Sequence, residues 1–195
     1  ADSRVRGLLR WKKDLARDRH AGNHNLRRKI YEIRRWWPVV KSQDPQTYVD
    51  FLKEGAGDAR LLGDITPAYA LLPVSRLRQM ANLLPDVRFI YMMRDPGSRL
   101  WSHVRMLAHS SAATPEQIPA QASALLNLSL TGQKQDVILR GAYDAEVSRL
   151  REAVDRGKTF LGFFEDLVTP QGVDQLCGFL NIAPVPANVD RKVHE

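Results

Sequence analysis

The sequence predicts an α/β protein, a parallel sheet flanked by helices, with a basic helical segment at its N-terminus. Two runs, VRFIYMM at 87–93 and KTFLGFF at 158–164, are nearly all apolar and rich in β-formers, the composition of parallel strands covered on both faces. Each run leads into a helical pattern, and strands alternate with helices through the second half of the chain. The charge is uneven: residues 1–41 hold 13 Lys or Arg against 4 Asp or Glu, whereas residues 42–195 hold 16 against 18. The expected organisation is one domain over 1–195, divided into a basic helical segment (1–41) and an α/β core (42–195).

Residues 5–20 and 25–37 read as helices, the second with Leu26, Ile30, Ile33 and Trp37 at helical spacing and Pro38 as its stop. Asp44-Pro45 opens a short helix through Phe51 and Leu52, with Asp as N-cap and Pro in the first turn, closed by Gly55 and Gly57. RLLGDIT (60–66) reads as a short strand, and 71–84 as a helix. After the first apolar strand, Asp95-Pro96 caps a helix over 96–109. Its apolar stripe, Leu100, Trp101, Val104 and Leu107, is expected to meet the sheet; Ser98, Ser102, Arg105 and His109 form a separate polar stripe. Residues 110–135 suit a helical hairpin or a mobile loop. A helix over 143–157 carries Val147, Leu150 and Val154, and the last, 170–181, carries Val173, Leu176, Cys177 and Leu180.

Among 195 residues no apolar run approaches the roughly 20 needed to span a bilayer. Cys177 is the only cysteine, so no internal disulfide can form, which favours a reducing, cytoplasmic compartment. In its apolar pattern Cys177 reads as a core filler. No His, Cys, Asp and Glu spacing suggests a metal site, and none is expected. The basic segment around Arg27, Arg28, Lys29, Arg34 and Arg35, with Trp36 and Trp37 beside it, is expected to recruit an anionic substrate or partner.

The candidate site lies where the first apolar strand ends. Arg94 follows the strand at the positive start of the next helix, and Ser102 lies eight residues on. A guanidinium, a hydroxyl and a helix start together can hold a phosphate or sulfate. In the competing arrangement Arg94 pairs with Asp95 or Glu165 and Ser102 lies on a solvated face.

VRFIYMMRDPGSRLWSH (87–103) resembles the 3′-phosphate-binding segment of sulfotransferases that use 3′-phosphoadenosine 5′-phosphosulfate (PAPS): a strand ending in Arg94-Asp95-Pro96, a second arginine at Arg99, and Ser102. GDITPAY (63–69) is similar to the Gly-Glu-x-Thr-Pro-x-Tyr segment of bacterial and glycan sulfotransferases. GAYDAEVSRL (141–150) resembles the Gly-x-Tyr segment whose tyrosine lies by the adenine, and 160–182 resembles the family's strand, Glu-Asp-Leu turn and terminal helix. The likeness covers roughly 45–182. It implies a P-loop-kinase-like sheet and PAPS as co-substrate, with no metal. Sulfuryl transfer to a hydroxyl or amine would follow, Arg94 and Ser102 holding the 3′-phosphate, and Gly141 and Tyr143 the adenine side. The acceptor would be a glycan, a protein tyrosine, a lipid or a small molecule; nucleic acid is not expected. The sequence departs from the family in two ways. It contains no Lys-x-Gly-Thr-Thr loop and no Lys-Arg-Gly closing loop, so a phosphosulfate loop is expected ahead of Ala1 or in an interruption of the sequence. Ile65 also stands where the glycan enzymes have lysine, leaving Asp64 as the candidate base. The alternatives are a P-loop nucleotide kinase, with Glu165-Asp166 holding Mg²⁺, and a non-catalytic basic nucleic-acid-binding module.

Overall fold

The computed structural model describes residues 35–39, 41–42, 44–112 and 114–186. The helices expected at 5–20 and over most of 25–37, with Arg27, Arg28, Lys29 and Arg34, lie outside the described residues. The chain forms two compact units, Ala1–Ile65 and Thr66–Glu195.

In the first unit, helix α1 (Pro45–Lys53) starts as the sequence predicts: the Asp44 carboxylate accepts the Gln46 amide at 2.9 Å and Pro45 occupies the first turn. Gly55 and Gly57 beyond it take positive φ, +77° and +55°, a conformation other residues adopt only under strain. Two expectations fail here. Residues 35–39 and 41–42 are helical, so Pro38 does not stop its helix; its ring fixes φ near the helical value and removes a single amide. Residues 60–66 form no strand. An extended segment needs a neighbouring strand for its ladder of hydrogen bonds, and among the described residues no strand pairs with this one; Ile65 is 97% exposed. Trp36 lies 4.3 Å from Phe51, ring to ring, and Arg35 sits over the same Phe51 ring while pairing with Glu54 at 3.3 Å.

The second unit is mostly helical and holds a two-stranded parallel sheet, which makes the class α/β. Strand β1 (Phe89–Met93) pairs with β2 (Thr159–Phe163) from Phe89 opposite Thr159 to Met93 opposite Phe163. Helix α2 (Val74–Ala81) precedes β1. Between the strands run α3 (Pro96–Ser111), α4 (Ile118–Leu130), α5 (Gln135–Leu139) and α6 (Tyr143–Ala153). After β2 come α7 (Phe164–Leu167) and α8 (Pro170–Leu180). The uncertain stretch 110–135 is thus largely a helix packed on α3. Buried Val104 and Ala108 of α3 meet buried Ala122 and Ser129 of α4 and Val137 of α5; the small side chains on α4 let the two long helices approach closely.

Two expectations about this unit are corrected. The inward stripe of α3 faces α4 and α5 rather than the sheet, and Trp101 is turned outward, 43% exposed. Strand β1 is also not covered on both faces. In β1 the side chains at Phe89, Tyr91 and Met93 are half-buried, while Ile90 and Met92 are 42% and 48% exposed. The covered face of β1 meets α6, where the Tyr91 and Tyr143 rings lie edge to face. On β2, Phe160 packs on Phe179 of α8. Cys177 is buried on α8, as its apolar pattern predicts. Among the described residues no helix is long and apolar enough to cross a membrane.

Candidate functional site

Parallel α/β sheets bind ligands beyond the carboxyl ends of their strands. Here those ends carry Arg94 after β1, and Phe164 and Glu165 after β2. The Asp95 carboxylate accepts the Ser98 amide at 2.7 Å and so caps α3. That backbone bond, the largest cause, together with the Ser98 side chain and the nearby Arg94 charge, holds the Asp95 carboxyl below its ordinary value of 3.8. A depressed carboxyl stabilises the fold above its unfolded pKa and loses that contribution as pH falls through the folded one. Asp95→Ala should therefore lower the melting temperature at neutral pH, with the gap to wild type narrowing as pH falls below 3.8. Asp95→Asn keeps a good cap without the titration and should show a flatter acid limb. Circular dichroism melts across pH check both; a gap that stays constant down to the acid end would remove the assigned cause.

Arg94 itself is exposed. Its guanidinium carbon lies 5.4 Å from the centre of the Phe164 ring, a cation–π contact that orients the fork. The competing acid partners are turned elsewhere. Asp95 is committed to its helix, and Glu165 Oε1 accepts the Asp95 amide at 3.5 Å. Among the described residues Arg94 forms no ion pair, so its donors are open to an external anion. Ser102 lies on the exposed polar stripe of α3 with Ser98, Arg105 and His109, about 9 Å along the axis from Pro96 at 1.5 Å per residue.

Tyr143 and Gly141, far along the sequence, are brought to the same place. The Tyr143 hydroxyl accepts the Arg94 backbone amide at 3.2 Å, so the first residue of α6 is tied to the end of β1. Gly141, expected on the adenine side, also supports this joint. A Cβ there would lie 3.1 Å from Arg99 Nε and 3.2 Å from its Nη2. The missing side chain is what admits the Arg99 guanidinium, which donates to the Val137 carbonyl at 2.9 Å. Arg99 thereby ties α3 to α5 and to the turn before Tyr143.

Sequence reasoning missed the support beneath Tyr143. The Tyr91 hydroxyl donates to Glu146 Oε2, and Glu146, one turn after Tyr143 on α6, is 3% exposed with its Oε1 unpartnered. Burial first, then the Glu146 carboxylate, push the Tyr91 phenol far above its ordinary range, so it stays a donor. The available signal was spacing: Glu146 is three residues after Tyr143 and four before Leu150, which places it on the buried face of α6.

Asp64, the candidate base, belongs to the first unit, where its Oδ2 accepts the Tyr48 hydroxyl at 2.7 Å. Among the described residues no three His, Cys, Asp or Glu side chains gather as a metal site would require. Comparison of the chain with protein-family models, curated proteins and solved structures gives no match. The chemistry of the site therefore has to be argued from its own residues.

Proposed function

We infer that the carboxyl end of β1 is a nucleotide 3′-phosphate site, and that the chain is a PAPS-dependent sulfotransferase whose strands belong to a P-loop-kinase-like sheet. The observation that carries this reading is the joint between Arg94 and Tyr143. The two segments that resemble the family's 3′-phosphate and adenine elements are 49 residues apart and share a hydrogen bond at the strand end. The residues fit such a ligand. Arg94 offers an exposed fork of donors without an acid partner among the described residues, Ser102 adds a hydroxyl from α3, and the half-buried Tyr143 ring offers a face for a purine.

In the reaction, the acceptor oxygen or nitrogen forms a bond to sulfur as the bond from sulfur to the nucleotide's phosphate oxygen breaks, and the acceptor's proton passes to a base. In-line transfer of this kind rests on positioning and charge stabilisation. The part played by Arg94, Ser102 and Tyr143 is to fix the nucleotide end of that line. The acceptor is a glycan, a protein tyrosine, a lipid or a small molecule.

Calorimetric titration tests the reading. Adenosine 3′,5′-bisphosphate should bind more tightly than adenosine 5′-monophosphate. Arg94→Ala should weaken the bisphosphate about 10- to 100-fold and Ser102→Ala only about 5-fold, because charge-assisted hydrogen bonds are worth roughly 1.5–3 kcal/mol against about 1 for a neutral hydroxyl. Equal affinity for the two nucleotides, or for wild type and Arg94→Ala, overturns it.

A further inference from the structure

Where α3 meets α5, positive charges outnumber the acids. Arg99 and His103 stand one turn apart on α3, and Arg99 reaches α5 through the Val137 carbonyl. Lys134 and Arg140 are the residues that bracket α5 at its two ends, and Arg140 adjoins Gly141, against which Arg99 is packed. Among the described residues none of the four forms an ion pair. Asp136 is the one acid whose charge reaches the His103 ring, and it is exposed. His103, half-buried, feels the cluster directly: burial first, then Arg140, Arg99 and Lys134, hold its pKa below the ordinary 6.5. Arg99 Nε is buried with no hydrogen-bond partner.

Like charges held together repel one another, and a buried donor left unpaired disfavours the fold. The repulsion is relieved by an anion that accepts hydrogen bonds from several of these groups at once. We propose that Arg99, His103, Lys134 and Arg140 form a site for a tetrahedral oxyanion, the sulfate or phosphate group of a ligand, distinct from the one at Arg94. An oxyanion suits it because guanidinium forks, an ammonium and an imidazole all donate, and four oxygens can accept from all of them. The proposal does not depend on the nucleotide reading, since inorganic sulfate is a sufficient probe.

The test measures melting temperature in sodium sulfate against sodium chloride at equal ionic strength, in wild type, in Arg94→Ala and in the triple variant Arg94→Ala/Lys134→Gln/Arg140→Gln, so that sulfate held at Arg94 is removed from the comparison. Sulfate should still stabilise Arg94→Ala. The triple variant should bind sulfate at least about 10-fold more weakly than Arg94→Ala, the loss expected on removing charge-assisted bonds. Stabilisation undiminished in the triple variant, or abolished in Arg94→Ala, overturns the proposal. The wild-type protein also provides a measurement independent of the variants' folding. Sulfate should shift the His103 ring resonances and raise their titration midpoint, and the absence of any shift overturns the proposal equally. Titrations with inorganic phosphate and with a sugar phosphate then separate the sources. Tighter binding of the ester assigns the site to a ligand-borne group, and equal binding assigns it to the free ion; both support the oxyanion site.

Discussion

Gly172→Ala should destabilise the protein by about 3 kcal/mol, the upper end for overpacking a tight contact. For 195 residues that is a melting temperature about 6–12 °C lower. Within a helix the same change ordinarily helps by up to about 1 kcal/mol, because alanine loses less backbone entropy. Here the sign reverses. A Cβ on Gly172 would lie 2.1 Å from the Asp166 carbonyl oxygen and 2.8 Å from the Leu167 Cα, and these are backbone atoms that no rotamer can move aside. The contact is fixed further by Thr169, whose hydroxyl accepts the Gly172 amide at 3.1 Å and donates to the Asp166 carbonyl at 2.6 Å. Gly178 on the same helix is the control. Nothing lies within 4 Å of its added Cβ, so Gly178→Ala should be neutral or stabilise by about 0.5–1 kcal/mol. Thermal melts of the two variants decide; similar shifts in both would show that helix propensity, not the α7–α8 contact, sets the effect. Because α7 begins with Phe164 and Glu165, displacing it should also disturb the Arg94 end of the site.

The parts of this fold that were legible in the sequence are those decided locally. Asp44-Pro45 and Asp95-Pro96 announce helix starts because the cap lies within a few residues of the amide it accepts. VRFIYMM and KTFLGFF announce strands because short, nearly all-apolar runs rich in β-forming side chains suit little else. What failed depends on partners distant in sequence. RLLGDIT has strand-like composition, but a strand exists only beside another. Trp101 looked inward because an apolar stripe does not say which of its flanking positions the neighbouring helix covers. The site divides in the same way. Arg94, Ser102, Gly141 and Tyr143 could be named from motifs, and the structure joins Arg94 to Tyr143. That Gly141 seats Arg99 is a fact of three dimensions with no local signature. The cations around His103 come from two helices and become a cluster only when α5 folds against α3.

Tyr91→Phe should cost about 1.5–3 kcal/mol, the value of a hydrogen bond to a charged group, and should weaken nucleotide binding although Tyr91 lies behind Tyr143. The stability loss arises because Glu146 is 3% exposed and its other oxygen already has no partner; removing the phenol leaves a buried carboxylate with neither oxygen satisfied. The double variant Tyr91→Phe/Glu146→Leu should regain most of the loss, since an apolar pair leaves nothing polar behind, and the coupling should reach about 1–3 kcal/mol. Alkaline pH gives a second signature. A phenol whose folded pKa is raised stabilises the fold fully below its ordinary value of 10.0. That stability drains away as pH rises past it toward the folded value, so wild type should lose stability above about pH 10 faster than Tyr91→Phe does. The functional effect follows from the lost anchor, since phenylalanine keeps the edge-to-face ring contact with Tyr143: the Tyr91 hydroxyl holds Glu146, one turn after Tyr143 on α6, and Tyr143 accepts the Arg94 amide. Adenosine 3′,5′-bisphosphate should therefore bind more weakly to Tyr91→Phe, with less effect on inorganic phosphate, which does not need the ring. If the variant lost stability yet bound the bisphosphate as wild type does, Tyr91 and Glu146 would be supports of α6 alone, and Tyr143 would owe its place to Arg94 and the turn at Gly141.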